Sequence, residues 1–122
     1  MSEHNDIGRN GEDVAAAFLV QIGYKLVARN WRFGPKEIDI IAIEGETMVF
    51  VEVKTRSTLA FELPQEAVTP RKMRNLVEAA DAYLQQHDIQ LNSRFDIVSV
   101  LNGNPPKVID HLIGAFQAND LI

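Results

Sequence analysis

Glu37-Ile38-Asp39-Ile40-Ile41-Ala42-Ile43, then Glu44-Gly45-Glu46, then Thr47-Met48-Val49-Phe50-Val51-Glu52-Val53-Lys54 is the stretch that decides the fold. Two runs rich in β-branched residues flank a short glycine-containing segment, the pattern of a β-hairpin. Three charged side chains, Asp39, Glu52 and Lys54, interrupt strands that are otherwise largely apolar. Side chains alternate across a strand, so Glu52 and Lys54 occupy one face while Val51 and Val53 fill the other. The face of Asp39 depends on the turn. A loop of two or four residues sets it opposite Phe50 or Glu52 and gathers all three charges, whereas a loop of three separates them unless a bulge intervenes. Two carboxylates brought within a few ångströms repel unless a proton or a cation lies between them, and an oxygen-only site suits a hard ion such as Mg²⁺. Such an ion polarises a phosphoryl oxygen and lowers the pKa of a bound water. Lys54 beside it is placed to orient or deprotonate that water, or to stabilise negative charge at phosphorus. Phosphodiester hydrolysis is the chemistry these groups suit.

The flanking sequence supplies helices and further strands. Val14, Ala15, Phe18, Leu19 and Ile22 recur at helical spacing between residues 11 and 23, and Gly23 provides a stop. Lys25 to Trp31 reads as a strand or extended arm broken by Gly34-Pro35. Residues 57–69, with Pro64, read as a loop ending at Thr69-Pro70, an N-cap followed by proline in the first helical position. The helix that follows keeps Met73, Leu76, Val77, Ala80, Tyr83 and Leu84 on one side. Arg94 to Leu101 reads as a strand, Asn102 to Pro106 as a turn, Lys107 to Leu112 as a last short strand, and the tail as a short helix. This order describes an α/β domain with a mixed sheet flanked by helices.

A chain of 122 residues with 46% apolar content fits a single domain spanning 1–122, with residues 1–7 as a polar, flexible tail. The absence of cysteine excludes disulfides, thiol nucleophiles, cysteine zinc sites and iron–sulfur clusters. With no apolar run long enough to cross a membrane and no signal-like start, the composition is that of a cytoplasmic protein with no membrane partner. Gly8 and Gly11 do not make a phosphate loop, because the lysine and hydroxyl residue of that motif are missing. His4, His87 and His111 have no metal-like spacing and take no role. The net charge of −5 argues against non-specific nucleic-acid binding, yet eight of the twelve Lys and Arg residues fall between positions 29 and 74, against seven of the seventeen acids. Arg71, Lys72 and Arg74 crowd the start of the second helix, where cations oppose the helix dipole, and so are candidates for phosphate contact, with Arg32 and Arg56. Trp31 can stack on a base, but an aromatic among strand residues is more often core, and it is left outside the site.

Glu37-Ile38-Asp39 followed thirteen positions later by Glu52-Val53-Lys54 resembles the Asp then Glu-x-Lys motif of the PD-(D/E)xK nuclease superfamily. Together with Gly8-Arg9-Asn10-Gly11-Glu12, Asn30-Trp31-Arg32, Phe50 to Arg56, Glu66-Ala67-Val68 before Lys72, and Arg94-Phe95-Asp96, the chain resembles the bacterial YraN-like family from about Gly8 to Phe116. The resemblance implies a restriction-endonuclease-like core and a distant similarity to archaeal Holliday junction resolvases. It also implies Asp39 and Glu52 as metal carboxylates, Lys54 as the catalytic lysine, Glu12 as a further acid from helix one that joins the catalytic and metal-binding set, and Lys72 as the favoured phosphate contact. Two positions depart from the family pattern: Lys36 stands where relatives carry glycine before Glu-Ile-Asp, and Glu62 where a glycine is also usual. Glu12 lies in the first turn of a helix, where the dipole favours an acid with no chemistry involved.

The expectation is a Mg²⁺-dependent endonuclease (Mn²⁺ being an alternative ion) that hydrolyses phosphodiester bonds in DNA, branched or junction DNA included. A homodimer presenting two sites, or an unidentified protein partner, would supply the surface that a small acidic domain lacks. The alternative is a non-catalytic nucleic-acid or protein-binding module that keeps the fold and uses the acids structurally.

Overall fold

A computed structural model describes residues 3–56 and 68–118, with the side chains of the first helix given from Gly11 onward. Helix α1 spans Glu3–Gln21, strands β1 Lys25–Phe33, β2 Lys36–Glu44 and β3 Thr47–Arg56 follow, then helix α2 Pro70–Gln86, β4 Asn92–Leu101 and β5 Lys107–Phe116. The strands form one mixed sheet in the order β1-β2-β3-β4-β5. β1/β2, β2/β3 and β4/β5 are antiparallel, while β3 and β4 run parallel. A parallel pair needs a crossover, and the segment carrying α2 provides it.

Both sheet faces are covered, which is why the central strands read as near-continuous apolar runs. Ala15, Ala16 and Leu19 of α1 pack against Ile40, Ala42, Val49, Val51, Val98 and Val100. Leu76, Ala79, Ala80 and Tyr83 of α2 pack on the other side against Ile38, Ile41, Met48, Phe50 and Phe95. Trp31 lies in this second core, edge-on to Tyr83 at 5.2 Å. The result is an α/β sandwich with the core of a restriction-endonuclease-like fold.

Helix ends follow local chemistry. Thr69 caps α2, its hydroxyl accepting from Lys72 N at 3.2 Å, and Pro70 opens the helix. Gly23 ends α1 at φ 102°, with Tyr24 N bonded to Leu19 O and Gly23 N to Val20 O, a Schellman pair. Three boundaries differ from the sequence reading. The helix begins at Glu3 and so takes in residues 3–7 assigned to a tail, β1 continues to Phe33, and β5 extends to Phe116 where a terminal helix was expected to begin. Tertiary pairing with β4 extends β5, since Phe95 faces Phe116. Residues 57–67, with Glu62, Pro64, Glu66 and Ala67, lie outside the described residues, as do 119–122. Among the described residues no helix is long and apolar enough to cross a membrane.

Asp96 ties the far end of the sheet. It is fully buried on β4 and accepts from Arg94 Nε at 2.9 Å, His111 Nε2 at 2.8 Å and Gly114 N at 3.1 Å. Arg94 reaches on to Glu44 at 2.8 Å and to the Tyr24 hydroxyl at 2.6 Å. Burial on its own would raise the pKa of Asp96, but the hydrogen bonds from His111, Arg94 and Gly114 outweigh it and hold the carboxyl below its ordinary 3.8. A carboxylate with a depressed folded-state pKa contributes stability that is present above the unfolded value and lost as pH falls through the folded one. Asp96→Ala should therefore cost about 1–3 kcal/mol in urea unfolding at pH 7, because the His111 nitrogen and the Gly114 N–H lose their buried acceptor while Arg94 keeps Glu44 and the Tyr24 hydroxyl. The deficit should shrink as pH drops below about 4, and a cost under about 1 kcal/mol at pH 7 would count against the network.

Candidate active site

The β2–β3 ladder runs from Glu44↔Thr47 to Ile40↔Val51. Its turn is the two residues Gly45-Glu46, with Gly45 at the positive φ of 59° that such a turn requires at its first position. Two-residue closure selects the register that directs Asp39 toward Glu52. At that point the strands part: Asp39 Oδ2 accepts the Val53 N–H at 2.8 Å, a side chain standing where a backbone carbonyl would continue the ladder. β3 goes on beside β4 alone, with Glu52 opposite Ile97 and Lys54 opposite Ser99.

The parting of β2 and β3 opens a cleft at the sheet's end. Two adjoining cavities share Asp39, Glu52 and Lys72. One, of about 290 Å³, is also bounded by Glu12, Val53, Lys54 and Thr55. The other, of about 310 Å³, is bounded by Pro35, Lys36, Glu37, Asn75 and Leu76. Elements from opposite faces of the sheet thus meet only where the strands diverge.

Two local devices bring the helices in. A Cβ on Gly11 would overlap the Thr55 hydroxyl, so only glycine lets α1 approach β3 this closely and deliver Glu12. On the other side, the Thr69 cap sets the start of α2 and with it Lys72. Glu12 is engaged by Arg29, whose Nε and Nη2 lie 3.4 Å from its carboxylate, and Arg29 also pairs with Asp13 at 2.7 Å. Asn30 beside it takes the left-handed conformation, φ 53°, inside a strand. Asn tolerates that region better than most residues.

The cleft brings together Asp39, Glu52, Lys54, Glu12 and Lys72. It does not include four of the expected phosphate contacts. Arg32 is exposed on β1 and paired with Glu37 at 3.3 Å, Arg71 and Arg74 are exposed on α2, and Arg56 is half-buried at the end of β3. Lys36, Glu37, Thr55 and Asn75 were not anticipated as lining. Asn75 was within reach, since it lies three residues beyond Lys72 on one helix face. The ion pair of Lys36 with Glu78 of α2 depends on the tertiary fold.

Sequence comparison places the chain in a family. The sequence profile of uncharacterised protein family UPF0102 matches residues 11–100. A UPF0102 protein of Phocaeicola vulgatus is 41% identical over 116 residues, 95% of this chain and 96% of the relative. Another from Bacteroides thetaiotaomicron is 46% identical over the same shares, and one from Geobacter sulfurreducens 44% identical, covering 95% of this chain and 93% of the relative. The chain belongs to UPF0102. This is the YraN-like family, a member of the PD-(D/E)xK-like nuclease superfamily.

Electrostatics mark the two carboxyls of this UPF0102 chain as unusual. Burial first, then the charge of Glu52, push Asp39 up from 3.8 to about 8, with only the Val53 N–H opposing. Burial also raises Glu52, against the pull of Lys72 and Lys54. Glu12 is raised by burial and restrained by Arg29. A proton relieves the repulsion between these carboxyls, and a bound cation would do the same. The donors are oxygens only, and two carboxylates with open space beside them fit Mg²⁺, which keeps several waters and takes one or two protein carboxylates plus substrate oxygens. Among the described residues no three Asp, Glu or His side chains form a closed cage. Asp39 and Glu52 are thus the pair that would hold the ion, with Glu12 at the cavity wall.

Two outcomes follow. Gly11→Ala should force α1 off β3 and cost about 1–3 kcal/mol, the scale of overpacking, read by chemical denaturation. For Asp39 the raised folded-state pKa means that its contribution to metal-free stability is fully present below about pH 4 and is lost as pH rises through about 8. Asp39→Asn keeps an oxygen acceptor for Val53 and removes the charge, so with EDTA present it should unfold at higher urea than wild type at pH 8 and not at pH 4. Equal midpoints at both pH values would refute the buried-carboxyl assignment.

Proposed function

We propose that this chain is a divalent-metal-dependent endonuclease that hydrolyses phosphodiester bonds in DNA, including branched DNA. The observation that carries the reading is the convergence of Asp39 and Glu52 in one cleft, with Lys54 and Lys72 beside them. Both cations lower the pKa of Glu52 through their charge, so all these groups act on one another.

Asp39 and Glu52 would hold Mg²⁺ or Mn²⁺, which when bound polarises a phosphoryl oxygen and lowers the pKa of water. Asp39 is fixed in place by Val53 N–H, so its carboxylate needs little reorganisation when substrate arrives. Lys54, two residues after Glu52 on the same face, offers an ammonium to negative charge growing on the phosphoryl oxygens. Lys72, on the opposite wall, is available to a neighbouring phosphate, and its contribution is salt-sensitive. Arg29 neutralises Glu12 and Asp13 and limits how much further negative charge the cleft presents to a polyanion.

The alternative reading is a nucleic-acid- or protein-binding module that keeps the fold without turnover. Cleavage of labelled junction, flap, single-stranded and duplex DNA with Mg²⁺, Mn²⁺ or EDTA separates the two. Glu52→Gln should reduce metal-dependent cutting by about 10²-fold or more, the equivalent of several kcal/mol of lost transition-state stabilisation. The same variant should still bind DNA. Cutting that survives equally in Glu52→Gln, or is indifferent to EDTA, would overturn the endonuclease reading.

A further inference from the structure

Phe33 ends β1, where Gly34-Pro35 turn the chain into β2 and Phe33 pairs with Lys36. Cross-strand partners lie on the same face of a sheet. Lys36 and Pro35 line the 310 Å³ cavity that also contains Asp39 and Glu52, so the Phe33 side chain stands one residue out from that cleft. Two residues back on the same face, Trp31 is covered by Tyr83 of α2. That cover stops short of Phe33, which remains 42% exposed. Among the described residues the large hydrophobics left exposed are Val20, Ile22, Val27, Phe33, Leu91 and Ile113, and Phe33 is the aromatic one. Gly34, at φ 61°, has no atom within 4 Å of a Cβ built on it, so the turn beside Phe33 projects into open space. Lys36, the cross-strand partner of Phe33, and Lys72 line that cavity, so cations stand on the cleft side of the ring, whereas Arg32, the preceding residue of the strand, lies on the other face and pairs with Glu37.

An exposed aromatic ring beside a cleft lined by cations and carboxylates has the makings of a stacking platform. Resting on the endonuclease reading, we propose that Phe33 stacks on an unpaired base next to the scissile phosphate, so that the strand cut is single-stranded at that step. A base within a duplex already gives its faces to its neighbours, whereas a single-stranded base has a free face to stack on an aromatic surface regardless of sequence. The hairpin tip thus selects for unpaired structure, while the acids supply the chemistry.

Binding of a fluorescein-labelled oligothymidylate and of a duplex of equal length to the full chain in a Glu52→Gln background tests this without relying on turnover. Phe33→Leu keeps an apolar side chain and removes the aromatic face. It should weaken single-strand affinity about tenfold and change duplex affinity less than about twofold. Phe33→Trp should retain affinity, and its emission should be quenched by the oligothymidylate, whereas the parent, with only the covered Trp31, should show little change. Unchanged single-strand affinity in Phe33→Leu, equal losses on both DNAs, or no quenching in Phe33→Trp would overturn the proposal while leaving the endonuclease reading standing. A parent protein that binds neither DNA would overturn both.

Discussion

The hydrogen bond from Val53 N–H to the Asp39 carboxylate is the interaction on which the site depends. An unpaired backbone donor inside a sheet is costly, so two strands normally stay together until both reach solvent. Here a side chain takes over the donor two residues past Val51, the last paired residue of β3 on this side, and the strands separate without leaving Val53 orphaned. The same bond anchors one carboxylate at the fork and leaves Glu52 and Lys54 on a strand held by β4 alone. Both helices reach the gap because they cover opposite faces of one sheet, α1 through the close approach at Gly11 and α2 through its capped first turn.

Two carboxylates held in the same sheet differ in whether the protein itself satisfies their charge. Asp96 accepts hydrogen bonds from the Arg94 and His111 side chains and from a backbone amide, and its pKa is lowered despite complete burial. Asp39 has the Val53 amide and a neighbouring carboxylate, and its pKa is raised. The first group has its charge satisfied within the protein. The second is satisfied only by something from outside, a proton or a cation, and strongly perturbed groups of that kind in a cleft are the usual mark of a functional site. Net charge says little about this contrast, since the cations that matter are the few lying within a Debye length of the cleft.

Much of the fold was legible in the chain. Alternation in the two central strands, the Thr69-Pro70 start of α2 and the Gly23 stop of α1 are local signals that tertiary context did not override. Boundaries were less legible: β5 extends to Phe116 because its later residues pair with β4, a non-local cause that periodicity does not record. Among site residues, Asp39, Glu52 and Lys54 stood out as charges inside apolar strands, and Lys72 as a cation opposing a helix dipole. Lys36, Thr55 and Asn75 had no comparable local anomaly, and Trp31 and Phe33, two residues apart, differ in exposure only because α2 covers one of them.

What the sequence by itself determined was the set of elements, their buried faces and the identity of the chemically unusual side chains, because these follow from periodicity, capping and the cost of placing charge among apolar residues. What only the tertiary structure decided was convergence. The parity of the Gly45-Glu46 turn, the substitution of Asp39 for a ladder acceptor and the meeting of α1 with α2 at the open end of the sheet each depend on residues far apart in the chain. A shift of one residue in register reverses every side chain of a strand, so the same charges would have remained unconnected with a different turn.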